Sequence, residues 1–286
     1  MQSAGVATAL LTGALVPMGA SATAATPTLA TTAEYVALGD SYASGAGLSE
    51  QTNAACDRSQ RGYPGVVADS LKASAFRNVS CSGATTAQMT QAQGSNPAQL
   101  NALSSTTTLV TLSIGGNDIG FSSILTTCVI SASSNPTGAP CRTYYQASGT
   151  DQLETRIAAT KPKVAAVLAA IKQRSPKAKV VVVGYPSIVP DDGAKCRPSV
   201  PIADQDVPYL RDTTKKVNTM LADTAKAANA TYANTYTPTV GHDMCRSSAA
   251  RLIEPLTSST GAPAHPNATG QFVMSLPVIE PFINKN

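Results

Sequence analysis

Four consecutive valines, Val180-Val181-Val182-Val183, stopped by Gly184, constrain this chain more than any other stretch. Successive side chains of a strand point to opposite faces, so an unbroken apolar β-branched run leaves no face for water. Such a strand belongs inside a parallel sheet that helices cover on both sides. Two more segments have the same form: Tyr35-Val36-Ala37-Leu38 ending at Gly39, and Leu109 to Ile114 ending at Gly115-Gly116. Helical spacing lies between and after them. It appears in Tyr63 to Ala73 (Val66, Val67, Leu71), Leu153 to Ile171 (Ile157, Val164, Val167, Leu168) and Val207 to Ala228 (Leu210, Val217, Met220, Leu221). Thr231-Tyr232-Ala233 reads as a last short strand, and Ser131–Pro140 and Pro186–Pro208 as surface loops. The alternation predicts an α/β fold, a central parallel sheet between two helical layers. In such sheets the ligand site lies beyond the carboxyl ends of the strands. The unusual sequences of this chain all follow strand ends.

With 286 residues, no internal repeat and no long linker, the chain suits one large domain. Its first 33 residues read differently. Ala4 to Val16 is an apolar run too short to span a bilayer, followed by small residues from Gly19 to Ala25. No Lys or Arg precedes the run, a departure from the usual export pattern. We expect residues 1–33 to be an export signal with a disordered segment, residues 34–286 to be the folded domain, and the protein to be extracellular. Six cysteines agree with export, since an even count in an exported chain suggests disulfides. Six cysteines permit about 15 connectivities. The simplest is sequential: Cys56 with Cys81, Cys128 with Cys141, and Cys196 with Cys245. With two histidines and no CxxC pair, a metal site is not expected. Charged residues make up 13% of the chain, about half the usual level, and the net charge of +4 is scattered without a basic block. Nucleic acid is therefore not an expected partner, although transient contact with a lipid surface fits a mild positive charge.

The segment Gly39-Asp40-Ser41-Tyr42 follows directly on the first strand. A serine at a strand-to-helix turn can project its hydroxyl into a cleft while its own N–H faces the same way, which suits a nucleophile. Taken alone, the segment reads better as an ordinary capping turn. Three further segments change that weighing: Cys81-Ser82-Gly83-Ala84-Thr85, Ile114-Gly115-Gly116-Asn117-Asp118 and His265-Pro266-Asn267 with Gly270. In this order the four segments resemble the blocks of the GDSL/SGNH hydrolase family, from about residue 34 to the C-terminus. The resemblance implies a three-layer αβα sandwich of flavodoxin-like type and ester hydrolysis without a cofactor. Ser41 would be the nucleophile and His265 its general base. The N–H groups of Ser41 and Gly83 and the side-chain amide of Asn117 would bind the oxyanion.

One position departs from the pattern. The family usually carries an aspartate three residues before the histidine, and here that residue is Ala262. We expect a Ser–His dyad whose imidazole Nδ1–H is accepted by a backbone carbonyl, that of Ala262, with Glu254 and Asp243 as the rival carboxylates. Asp40 is expected to bond neighbouring backbone N–H groups, His242 to be structural or to line the substrate site, and Tyr42, Tyr144, Tyr145 and Phe121 to line an acyl groove. Low charge, the export segment and paired cysteines resemble the extracellular lipases, esterases and phospholipases A of actinomycetes. That likeness implies a monomer acting on lipid esters, phospholipid or acylglycerol, with phospholipase A1 among the implied activities. The competing readings are an acetyl- or feruloyl-type esterase acting on plant polysaccharide, and a non-catalytic secreted binding protein.

Overall fold

The computed structural model describes residues 1–2, 33–192, 196–258 and 260–283. The expected export run lies outside them. Five parallel strands form the main sheet in the order β4-β1-β5-β6-β7: β1 (Glu34–Gly39), β4 (Ala75–Asn78), β5 (Leu109–Ser113), β6 (Lys179–Val183) and β7 (Thr231–Ala233). All five residues of β5 and the four valines of β6 are buried, as an aliphatic run inside a covered sheet requires. A minor two-stranded ribbon joins β2 (Gln51–Asn53) to β3 (Arg58–Ser59).

The strand order decides where the helices go. Passing from β1 outward to β4 uses α2 (Tyr63–Ser70), whereas the steps from β5 to β6 and β6 to β7 run the opposite way, through α5 (Gln152–Arg174) and α6 (Asp206–Ala227). Right-handed crossovers in opposite directions put their helices on opposite faces. Accordingly α5 packs on α6, while α2 packs on the C-terminal helix α7 (Ala268–Ile283). The result is the expected α/β sandwich, a parallel sheet between two helical layers.

Several elements differ from their sequence reading. Strand β4 and helix α7 were not foreseen: β4 is a short edge strand carrying Arg77 and Asn78, and α7 contains Pro277 and Pro281. Helices α3 (Phe121–Ala132) and α4 (Pro140–Gln146) take both ends of the supposed loop 131–140, with Pro140 in the first turn, where proline is tolerated. The α4 N-terminus has no capping side chain of its own. Buried Asp206, from the start of α6, supplies the acceptor: its carboxylate takes the Cys141 and Arg142 N–H groups, both at 2.9 Å. The sulfurs pair as Cys56–Cys81, Cys128–Cys141 and Cys196–Cys245. The first of these ties the segment between α1 (Ser41–Ser44) and α2 to the stretch beyond β4.

Asp206→Ala should cost about 2 kcal/mol, the value of a helix cap with charge-assisted bonds. Thermal unfolding should then move down by roughly 4–8 °C.

Candidate active site

Strand β1 ends at Gly39, and the chain turns at once into the four-residue helix α1. Asp40 caps that helix by accepting the Tyr42 N–H at 3.0 Å, which leaves Ser41 as its first residue. Ser41 is buried at the carboxyl end of the sheet, and its Oγ lies 2.7 Å from Nε2 of His265, 224 positions later. Four contacts bring that histidine in. The Tyr42 hydroxyl donates to the Ala264 carbonyl at 2.7 Å, and the Tyr42 ring lies 4.8 Å from the imidazole. A short antiparallel pairing joins the histidine segment to residues 253–254, with Glu254 N–H donating to His265 O and Ala264 N–H to Glu254 O. Gln271 of α7 bridges the Tyr42 carbonyl and the Tyr63 N–H, docking the helix that follows the histidine onto α1 and α2.

The other imidazole nitrogen corrects one expectation. Nδ1 lies 2.7 Å from the carbonyl of Pro263 and not from that of Ala262. The Ala262 carbonyl is used by the turn itself, accepting the His265 backbone N–H at 3.2 Å. Both rival carboxylates are engaged elsewhere. Glu254 accepts from Arg251, Ser258 and Thr260, and Asp243 from Arg246 and the Cys245 N–H. Burial holds His265 below the ordinary imidazole range, partly offset by the Pro263 bond and the charge of Asp57, so the ring favours the neutral, proton-accepting form. Burial raises Asp40 to about 7, against the bonds it accepts from Tyr185 and from the Tyr42 N–H.

The other two segments meet at the ends of β4 and β5. Cys81 N–H donates to Gly39 O and Ser82 N–H to Cys56 O, which sets the Gly83 loop beside the nucleophile turn. Asn117 donates one amide hydrogen to the Ala84 carbonyl at 2.9 Å, and its amide carries a second donor. Asp118 accepts from the N–H and hydroxyl of Thr86, fastening the two loops together. The reason for glycine at 83 is its φ of +78°; a Cβ there would meet nothing nearer than 3.8 Å.

A small apolar pocket is lined by Tyr42, Ile119, Phe121, Tyr185, Ile188 and Leu210 among others, and two of these rings, Tyr42 and Phe121, lie 4.8 Å and 6.4 Å from the imidazole of His265. Of the four aromatics expected there, Tyr42 and Phe121 line it. Tyr144 is exposed on α4, and Tyr145 is buried elsewhere beneath Arg156. His242 is exposed and its Nδ1 pairs with the Ala250 carbonyl in its own turn. Sequence reading missed Pro263, Gln271 and Tyr185. Only Tyr185 had a signal, standing two residues beyond the end of β6. Among the described residues no cluster of His, Cys, Asp or Glu is arranged to hold a metal ion, and no helix is long and apolar enough to cross a membrane.

Two outcomes follow from this geometry. Gly47 has φ +77°, and a Cβ there would lie 2.1 Å from the Ala262 nitrogen, in the turn that carries His265. Gly47→Ala should therefore lower kcat at least about tenfold and stability by about 1–3 kcal/mol, read from steady-state kinetics and thermal unfolding. In Asp40→Asn, where the second titrating group is gone, the acid limb of kcat/KM should be set by His265 alone. Its midpoint should lie below about pH 6.5, because a depressed imidazole keeps its base form to lower pH.

Residues 37–272 match the GDSL-like Lipase/Acylhydrolase family. The chain is 39% identical over 254 residues to Lipase 2 of Streptomyces coelicolor, covering 86% of this chain and 83% of that one. Among solved structures, phospholipase A1 from Streptomyces albidoflavus NA297 superposes with a TM-score of 0.73 at 28% identity, covering 88% of this chain and 99% of that one. The extracellular lipase of Streptomyces rimosus gives a TM-score of 0.73 at 29% identity, covering 88% and 100%. With its four segments gathered at the strand ends and the match running almost the length of the described domain, the chain belongs to the GDSL-like lipase/acylhydrolase family.

Proposed function

We propose that this lipase/esterase-type hydrolase is secreted and cleaves carboxylic esters of lipids through an acyl-enzyme on Ser41. The observation that carries the reading is the 2.7 Å contact between Ser41 Oγ and His265 Nε2, with Nδ1 turned onto the Pro263 carbonyl. With Nδ1–H donated to that carbonyl, Nε2 is left unprotonated and can take the serine proton as Oγ attacks the ester carbonyl. Negative charge then gathers on the carbonyl oxygen, where the N–H groups of Ser41 and Gly83 and the free amide hydrogen of Asn117 receive it. Collapse breaks the ester C–O bond, and the imidazolium returns its proton to the departing alcohol. Water repeats the sequence on the acyl-enzyme, releasing the carboxylic acid. The pair works as a dyad, its imidazolium stabilised by a fixed carbonyl dipole where the family usually has a carboxylate.

The lipid substrate is supported by relatives named as lipases and a phospholipase A1, and by the small apolar pocket whose walls include Tyr42 and Phe121. Export of the chain by residues 1–33, leaving 34–286 as the working monomer, is supported by the paired cysteines and by the extracellular lipase of Streptomyces rimosus.

Ser41→Ala should abolish turnover and labelling by a fluorophosphonate while thermal unfolding stays nearly unchanged; near-normal activity would remove Ser41 from its role. Asn117→Ala should lower kcat about 10²–10³-fold, the cost of one oxyanion donor. Wild-type protein should release fatty acid from phosphatidylcholine or triacylglycerol and favour medium or long p-nitrophenyl esters. Activity confined to acetyl or feruloyl esters would replace the lipid reading, and failure of folded protein to label would favour a binding protein.

A further inference from the structure

Between the nucleophile turn and the Gly115–Asn117 turn stands one side chain that the reaction above does not use. Tyr185 is almost fully buried, and its hydroxyl donates to Asp40 Oδ2 at 2.5 Å while accepting the Gly116 N–H at 2.8 Å. The second oxygen of Asp40 accepts the Tyr42 N–H. A continuous chain of hydrogen bonds thus runs from the residue after Ser41 to the residue before Asn117. Its middle member is itself clamped. Asn218 of α6 accepts the Tyr185 N–H and donates to the Tyr185 carbonyl, both at 2.8 Å. The Tyr185 ring meets the Tyr42 ring edge-on at 5.1 Å and forms part of the apolar cleft wall.

We infer that Tyr185 is a positioning residue that sets the spacing between the attacking oxygen of Ser41 and the oxyanion-binding amide of Asn117, using its hydroxyl as a spacer held from α6 by Asn218. The two groups sit on separate loops after β1 and β5. The tetrahedral intermediate needs both at fixed distance from one carbonyl, and oxyanion donors act through pre-set geometry. The hydroxyl suits this task because it can donate and accept at once. Phenylalanine would fill the same wall and remove the bridge between Asp40 and Gly116, leaving the Asp40 N–H bond to the Ser113 carbonyl as the link between the two turns.

The inference rests on the assignment of Ser41 and Asn117 above, and the test separates the two. In Tyr185→Phe, assayed on a medium-chain p-nitrophenyl ester, kcat should fall about 10- to 100-fold, as for a displacement near 1 Å. KM should stay within about twofold because the ring still lines the cleft. Affinity for butylboronic acid, which makes a tetrahedral adduct on the serine, should fall in step with kcat, as expected for a group that serves the transition state. A kcat within about threefold of wild type, or a loss confined to KM, overturns the inference. Asn218→Ala keeps the hydroxyl but frees its backbone, and serves also if Tyr185→Phe does not fold. Its kcat must fall with KM held, and an unchanged kcat overturns the inference. The double variant Tyr185→Phe/Asp40→Asn should lose no more than the worse single change, whereas multiplying losses overturn the linkage. If Ser41→Ala is inactive while Tyr185→Phe matches wild type, only the role of Tyr185 fails. If Ser41→Ala is active, the assignment beneath it fails as well.

Discussion

Among the described residues after β7 no further strand joins the main sheet, so the segment carrying His265 is not held by a ladder of that sheet. Its place depends on the bond from the Tyr42 hydroxyl to the Ala264 carbonyl, supported by Gln271 and by the short pairing with residues 253–254. The residue beside the nucleophile thus holds the turn that delivers the base. Both halves of the pair are referred to one side chain, and a shift of α1 carries serine and histidine together. Around this bond the burial pattern follows: Tyr42 and Ala264 are buried, and Ser41 beside them is buried as well.

The carbonyl partner of His265 changes the electrostatics of the pair. A carboxylate would add a full charge that itself titrates; a peptide dipole adds a smaller, constant one. The ring is therefore oriented without being made strongly basic, and burial moves it further toward its neutral state. The charge that acts on it is that of Asp57, whose carboxylate is occupied by the Gly47 N–H and the Gln51 amide. The buried acid of the site, Asp40, faces the other way and serves backbone and tyrosine donors.

How much of this could be read from residues alone varied with the physical signal. The interior strands β1, β5 and β6 are aliphatic runs closed by glycine, and α5 and α6 carry a long apolar period, so they were legible within one to three residues at each end. Strand β4 was not, because an edge strand with Arg77 and Asn78 has no continuous apolar run. Helix α7 was hidden by two prolines that the helix accommodates. The site residues came from local segments, whereas their partners came from the tertiary fold. Choosing between the carbonyls of Ala262 and Pro263 depends on which one the turn consumes for its own N–H bond. Tyr185 stands just beyond the end of β6, but its partners depend on how the strands line up.

The contact between positions 41 and 265 encloses almost the entire domain, yet the bonds that secure it lie outside the ladders of the main sheet. Elements of one fold can open without the rest unfolding. Any opening of the last segment would part the two groups while the five strands stayed paired, so for this molecule retention of secondary structure is not by itself a gauge of whether the machinery is assembled.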